Sequence, residues 1–366
     1  MKFINQIEPV FGPEEREAVK KYMDTDGWIT EYKYTREFEQ LLANYLKVKH
    51  CSFVFNGTVS LILALAAIGI KKDDEVIVPD YTFVASATAV EIFNAKTVFV
   101  DVERESLCMN FEVMKEAITD KTKAVMFVSM NGRYPKSIKQ IQDYCKKNGI
   151  WLIEDAAQSL GSTAYGRYLG TYGDIGSYSF STPKIISTGQ GGAVVTNNDE
   201  LFDKMIKIRN FGRERPDNDN FLLKGWNFKV TDIQAIIGIE QLKKLDQRIK
   251  RRKEMGRLYY SLLKEIPYIE LIPTNFDETA LAAFDILVKD KKDRQPLMDF
   301  LKQNNIGTRP FYPPLHSTPA FNYKEDFPIT QDICERGLWL PSSANLTDEQ
   351  IHYIVEKINE FFKTRC

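Results

Sequence analysis

The stretch Ser177-Tyr-Ser-Phe-Ser-Thr-Pro-Lys-Ile-Ile-Ser-Thr-Gly-Gln-Gly-Gly-Ala-Val-Val-Thr196 sets one lysine, Lys184, between a short apolar strand and a glycine-rich turn that leads into a second strand. An amine attacks an aldehyde only when unprotonated. A lysine that forms a Schiff base therefore needs burial or a neighbouring cation to lower its pKa. The hydroxyls of Ser179 and Ser181 and the backbone N–H groups around Gly189, Gly191 and Gly192 are suited to an anion. Alone, a lysine in such a stretch is most simply a surface residue beside a hairpin, and the rest of the chain decides between the two readings.

Outward from this stretch, between about residues 50 and 200, short β-rich runs alternate with amphipathic helical segments. The runs are Cys51–Phe55, Glu75–Val78, Thr97–Asp101, Lys123–Ser129, Trp151–Ile153, Ser177–Phe180 and Ala193–Thr196. That rhythm predicts βαβ units and a mostly parallel sheet covered on both faces, a three-layer α/β/α sandwich. The charged stretch from Ile236 to about Lys264 predicts a helix, with Asp246–Lys253 as a basic, solvated face. Beyond the turn at Ile272-Pro-Thr274, the segments Ala283–Val288, Gln295–Asn304 and Asp348–Phe362 predict a smaller C-terminal α/β domain. The expected division is 1–250 and 251–366.

Two further pieces bear on Lys184. Trp151-Leu-Ile-Glu-Asp-Ala-Ala-Gln158 reads as a buried strand whose carboxylates emerge at its C-terminal end, where open α/β sheets place ligands. Asp155 there is either a helix N-cap or a partner for a protonated ring nitrogen. Asn56-Gly-Thr-Val-Ser60 joins a strand to an apolar helix, so the N–H groups at Gly57 and Thr58 can face a phosphate with the helix dipole behind them. An aldehyde anchor, a ring-nitrogen partner and a phosphate cradle in one chain suit pyridoxal 5'-phosphate.

These blocks, with Pro79-Asp-Tyr-Thr-Phe-Val-Ala-Ser86 and Gly225-Trp-Asn-Phe-Lys-Val-Thr-Asp-Ile-Gln-Ala235, resemble in order those of the DegT/DnrJ/EryC1/StrS aminotransferases, from about Gly27 to about Pro341. The resemblance implies the aspartate aminotransferase fold (fold type I) and amino transfer to keto sugars carried on nucleotides, the cofactor alternating between pyridoxal and pyridoxamine phosphate. It further implies Lys184 as Schiff-base lysine and proton shuttle, Asp155 against the pyridine nitrogen, Gln158 beside the phenolic oxygen and Phe83 on the ring face. Gly57, Thr58 and Ser179 would hold the phosphate, and Asn227 would reach it from the other subunit of a homodimer. Tyr312 and His316, on the proline-braced loop Arg309–His316, are expected near substrate.

Three positions depart from the family pattern. Met130-Asn-Gly-Arg-Tyr-Pro-Lys136 brings in Arg133, a candidate for gripping a nucleotide diphosphate, the donor carboxylate or the phosphate of a small ketone. Lys229 stands where arginine is usual and keeps the charge without the planar fork. Gln190 replaces a glutamate. None removes Lys184 or Asp155.

Composition sets the outer limits. With 366 residues, 43% hydrophobic and net charge −1, the chain can bury a large core and carries no field favouring nucleic acid or membrane. No apolar run approaches the roughly 20 residues of a membrane span, and residues 1–8 lack a signal-peptide core, so a soluble, cytoplasmic protein is expected. Five scattered cysteines, Cys51, Cys108, Cys145, Cys334 and Cys366, predict reduced thiols, and three histidines without ligand spacing predict no metal. The expected function is transfer of an amino group from glutamate to a nucleotide-linked keto sugar, for surface polysaccharide such as capsule. Alternatives are the same transfer onto a small phosphorylated ketone such as dihydroxyacetone phosphate, giving serinol phosphate, and a non-catalytic regulatory member. A dehydratase branch of the family has histidine in place of the lysine, and Lys184 argues against it.

Overall fold

The computed structural model describes residues 2–25, 27, 29–30, 32–215 and 217–364. Its strands in chain order begin with β1 (His50–Val54), β2 (Glu75–Pro79), β3 (Lys96–Val100), β4 (Thr122–Val128) and β5 (Trp151–Asp155). A two-residue pair, β6 (Thr163–Ala164) and β7 (Arg167–Tyr168), precedes β8 (Ile175–Ser179) and β9 (Gly192–Thr196). Seven of these form one sheet in the order β1-β9-β8-β5-β4-β2-β3. Neighbours are parallel from β8 through β3, and β9 runs antiparallel to both β1 and β8. β1 therefore points the same way as β8.

Both faces of this sheet are buried, which explains why its strands read as continuous apolar runs. Successive residues go to opposite sides. Val76, Val78, Ala124, Met126 and Ile153 pack with the helix Gly57–Ala67, whereas Ile77, Val125, Phe127 and Leu152 pack with Ile138, Ile141 and Cys145 of the helix Ile138–Asn148. At the β1–β9–β8 end, Phe53, Val195 and Tyr178 are closed over by Phe38, Leu42 and Ile239. Helices thus cover both sides, as the expected three-layer sandwich requires. Cys51, Cys108, Cys145 and Cys334 are buried free thiols, and Cys366 lies outside the described residues.

After a hairpin, β10 (Arg213–Arg215) with β11 (Asn218–Phe221), the C-terminal part builds a four-stranded antiparallel sheet. It comprises β12 (Ile269–Glu270), β13 (Asp285–Val288), β14 (Arg309–Pro310) and β15 (Gly337–Trp339), ordered β12-β13-β15-β14. Its core joins Ile286, Val288 and Leu338 to the helices Arg294–Gln303 and Asp348–Lys363. Two features cut across a division at residue 250. The helix Leu245–Leu263 runs through that point, and Ile4 bridges to Ile306 and packs in the C-terminal core.

The long charged helix differs from its expected form in two ways. It is two helices, Asp232–Lys243 and Leu245–Leu263, divided at Lys244. Its basic stretch is also not wholly solvated: Arg248 and Arg252 are 8% and 3% exposed. Arg252 donates to the carbonyl of Ala282 at 2.6 Å, and Arg248 donates to those of Val10 at 2.7 Å and Ile185 at 2.9 Å. Residues 248 and 252 share a helix face with Leu245 and Ile249, so their stems pack inward while the guanidinium groups satisfy loop carbonyls.

A buried ion pair ties the two parts together. Asp285 on β13 accepts both terminal nitrogens of Arg133 at 2.7 and 2.6 Å and the Asn131 amide at 2.7 Å, with side chains of Arg133 and Asp285 4% and 1% exposed. Removing one partner strands the other charge without water, at a cost of about 3–5 kcal/mol. Asp285→Asn and Arg133→Gln should each lower the thermal midpoint sharply, whereas Arg133→Met with Asp285→Leu should recover much of it. Equal losses in single and double variants by calorimetry would refute this account.

Candidate active site

β1, β2, β4, β5 and β8 all end on one edge of the large sheet, because they are parallel. A cavity of about 330 Å³ opens there, lined by Gly57, Thr58, Phe83, Asp155, Gln158, Ser179 and Lys184, with Asn56, Ser181 and Gln190 among the rest. Seven of the expected cofactor residues are therefore gathered from four separate segments. A larger cleft of about 1410 Å³ lies elsewhere, beside Arg133, Tyr134 and Glu278. Of the expected site residues it holds only Arg133.

Lys184 sits in the connection between β8 and β9, residues 180–191, which starts and returns at this edge because Ser179 pairs with Gly192. The lysine is half-buried, and withdrawal from water lowers its pKa to about 8. The negative charge of Asp155 opposes that shift, and the positive charge of Arg309 assists it. Two long-range anchors fix the connection. Arg248 donates to the carbonyl of Ile185, and Gln241 accepts from the N–H of Ser187 at 3.2 Å. Both anchors escaped the sequence reading; the available signal was the placement of Arg248 on the apolar face of its helix.

Asp155 ends β5 at 6% exposure. One of its oxygens accepts from Ser86 Oγ at 2.7 Å and the other from the N–H of Ala157 at 3.1 Å. No helix begins at Asp155, so the N-cap reading falls away. The carboxylate is held by two donors and lines the cavity.

The expected phosphate cradle is formed by close approach of two backbones. The side chain of Asn56 caps the helix Gly57–Ala67 by accepting from the N–H of Val59 at 2.9 Å. A Cβ at Gly57 would lie 2.8 Å from Ser179 Cβ. Only glycine lets the helix N-terminus and the end of β8 come together, leaving first-turn N–H groups beside the hydroxyls of Ser179 and Ser181, themselves 3.2 Å apart. Phe83 is 47% exposed and lines the cavity, so it is not a core phenylalanine, and its ring can meet a flat ligand. Gln158 accepts from the N–H of Asn131 at 3.0 Å, which directs its amide nitrogen toward Tyr312 Oη, 3.5 Å away. The donor set as a whole fits pyridoxal phosphate.

The remaining expected residues are placed differently. Arg133 is corrected as a substrate residue: Asp285 and, at 3.0 Å, Thr274 occupy its guanidinium. His316 is also corrected. It is 8% exposed, lies outside the cavity lining and pairs with Asp80, through Nδ1 and through its backbone N–H, at 2.7 Å each. The loop is thereby pinned to the end of β2. Tyr312 stays at the site, its ring 5.5 Å from that of Phe83. Asn227 and Lys229 do not line the cavity of their own chain; the amine of Lys229 contacts the Asn227 oxygen at 2.7 Å and that of Asn210 at 3.1 Å. Among the described residues no cluster of His, Cys, Asp or Glu is arranged for a metal, and no helix is long and apolar enough to cross a membrane.

Comparison with known proteins agrees with this geometry over the whole chain. The model of the DegT/DnrJ/EryC1/StrS aminotransferase family matches residues 9–359. GDP-perosamine synthase of Vibrio cholerae is 36% identical, the alignment covering 97% of this chain and 99% of that protein. GDP-perosamine synthase of Escherichia coli O157:H7 is 35% identical over 100% of both. Among solved structures, the aminotransferase TlmJ from Streptoalloteichus hindustanus superposes with a TM-score of 0.94 at 27% identity over 100% of both chains. Helicobacter pylori PseC, an aminotransferase involved in the biosynthesis of pseudoaminic acid, gives 0.93 at 25% identity over 99% of this chain and 100% of its own. With a family model matched over residues 9–359 and relatives 35–36% identical along nearly the whole chain, the chain belongs to the DegT/DnrJ/EryC1/StrS aminotransferase family.

Proposed function

We propose that this aminotransferase moves an amino group from glutamate to the keto group of a nucleotide-linked sugar, in the making of a surface polysaccharide. The observation that carries the chemistry is the half-buried amine of Lys184, poised near neutrality in a cavity that also holds a fixed carboxylate and an anion cradle. The nucleotide sugar is favoured by similarity along the whole chain to two GDP-perosamine synthases. A small phosphorylated ketone was attractive only while Arg133 was free to grip it, and Asp285 takes that guanidinium.

Pyridoxal phosphate, when bound, supplies an electrophilic carbon and a ring that accepts the electrons released as a proton leaves the substrate. The chain supplies everything else. Gly57, Thr58, Ser179 and Ser181 would hold the phosphate, and Phe83 would cover a ring face. Asp155, oriented by Ser86 and Ala157, would hold the ring nitrogen and keep it protonated. Lys184 Nζ would hold the cofactor through its amine and would take and return the proton at the substrate carbon. The same groups serve both halves of the exchange, so ping-pong kinetics follow. Asn227, at the exposed surface of its own chain, completes the neighbouring site in a homodimer.

With glutamate as donor, formation of 2-oxoglutarate is expected with GDP- or dTDP-linked keto sugars and not with dihydroxyacetone phosphate; turnover confined to the small ketone would overturn the acceptor assignment. The neutral amine is the reactive form and its pKa is lowered to about 8, so roughly half of it is available at pH 8 and about a tenth at pH 7. Capture of pyridoxal phosphate by cofactor-free protein, followed by the yellow absorbance, should therefore accelerate as pH rises through this range and level off above it. Lys184→Ala should give no borohydride-stable adduct at any pH, and a flat profile in the parent protein would contradict the assignment. Light scattering should report a dimer, and a fully active monomer would remove Asn227 from the site.

A further inference from the structure

The loop Arg309–His316 is tied at its two ends to different sheets. Near its start, the N–H of Phe311 donates to the carbonyl of Gly337 on β15 at 3.1 Å, and the Phe311 ring packs on Trp339 with centroids 5.1 Å apart. At its end, the fully buried Asp80, which follows β2, takes hold of His316. One carboxylate oxygen accepts the backbone N–H of His316 and the other meets Nδ1, each at 2.7 Å. With the carboxylate accepting, Nδ1 is the donor. The N–H of Leu315 donates to the Asp80 carbonyl at 3.3 Å, and that of Tyr323 to the His316 carbonyl at 2.8 Å. The His316 ring meets Phe327 edge-on at 5.0 Å. Neither Asp80 nor His316 lines the cavity of Lys184.

We propose that Asp80 and His316 are a positioning pair for the reaction, a clasp that sets the gap between Tyr312 and Phe83 at the mouth of the Lys184 cavity. The inference rests on the aminotransferase reading above and concerns how that site admits its substrates. Phe83 lines the cavity and is 47% exposed, so it stands at the opening. Tyr312 faces it with ring centroids 5.5 Å apart, its hydroxyl 3.5 Å from Gln158 Nε2. Residues 80 and 83 share one short turn after β2, and residues 312 and 316 share one loop, so the clasp and the two rings are opposite ends of two facing segments. Between them Tyr81, itself buried, packs on Phe311 and Tyr312 with centroids 5.4 and 6.4 Å apart. Pro313 and Pro314 separate Tyr312 from the clasp, and their fixed φ angles leave the span little freedom. A movement at His316 is therefore passed on to Tyr312 instead of being absorbed on the way. Asp155, Ser179 and Lys184 come from β5, β8 and the connection after it, so the clasp governs substrate fit and leaves cofactor capture alone.

The test compares three variants of the full chain. His316→Leu removes the ring donor; His316→Asn offers an amide N–H in place of Nδ1; Asp80→Leu with His316→Leu replaces the pair by apolar side chains and so avoids stranding a buried carboxylate. Hydrogen–deuterium exchange of the cofactor-free protein should quicken in peptides covering 311–316 in both Leu variants and stay near the parent in His316→Asn. The holoenzymes should all keep the yellow absorbance. Loss of colour with subsaturating glutamate should slow about tenfold or more in the Leu variants, and His316→Asn should restore most of the rate. The deciding comparison adds Tyr312→Leu: a clasp that acts through Tyr312 makes Tyr312→Leu with His316→Leu no slower than the slower single variant. Losses that multiply would show general damage and overturn the proposal. Unchanged exchange at 311–316, an unchanged rate in the paired Leu variant, or loss of the yellow absorbance would overturn it as well. Failure of the parent protein to lose colour with any amino donor would instead defeat the aminotransferase reading, and this inference with it.

Discussion

The proposed chemistry depends on keeping one ammonium group out of water while a carboxylate stands nearby. Burial favours the neutral amine of Lys184 and Asp155 favours the charged one, and burial with help from Arg309 prevails only far enough to bring the pKa to about 8. A deeper lysine would stay neutral and could not hold a proton between transfers. A more exposed one would stay charged and could not attack. The balance requires the lysine's loop to keep its depth, and Arg248 and Gln241 perform that task from a helix of distant sequence by binding Ile185 and Ser187.

The parallel sheet brings four sequence-distant turns into one site. Strands that point the same way must end on the same edge, so Asn56–Thr58 after β1, Phe83 after β2, Asp155 at the end of β5, Ser179 at the end of β8 and the loop of Lys184 meet without further instruction. This much was legible in the sequence because each piece is local: an apolar run, then a small or polar residue at its end. The sandwich was legible for the same reason. Val76 and Ile77, or Ala124 and Val125, face opposite cores, and both cores need apolar partners, so the run is unbroken and its length marks it as strand.

What was not legible depends on partners that have no spacing rule. Arg133 reads equally well as a substrate grip or as half of an ion pair until Asp285, on the other side of the molecule's chain, is brought to it by the four-stranded sheet. His316 looks like a polar tip on an exposed loop, yet Asp80 at the end of β2 draws it inward to 8% exposure. The basic run from Asp246 to Lys253 looks solvated because charge alone was counted. Two of its arginines lie on the apolar face, and a guanidinium on a long stem can be buried if backbone carbonyls receive it. In each case the residue type was informative and its partner was not.

The same partners connect the small domain to the reaction. Asp285 on β13 holds both Arg133 and Asn131; the N–H of Asn131 fixes the oxygen of Gln158; and the orientation so imposed turns the Gln158 amide toward Tyr312 and the cavity. Tyr312 comes from the loop that follows β14, on the same small sheet, and carries Arg309 on its ring. Two paths from the small domain therefore end on one side of the cofactor cavity, one through a buried ion pair and one through stacked rings. Gln158 follows directly on β5 and belongs to the same sheet edge as Asp155, Ser179 and Lys184, whereas Tyr312 and Arg309 come from the small sheet and its loop. The expected cofactor residues thus lie at the edge of the large sheet, and the small sheet reaches them through Tyr312.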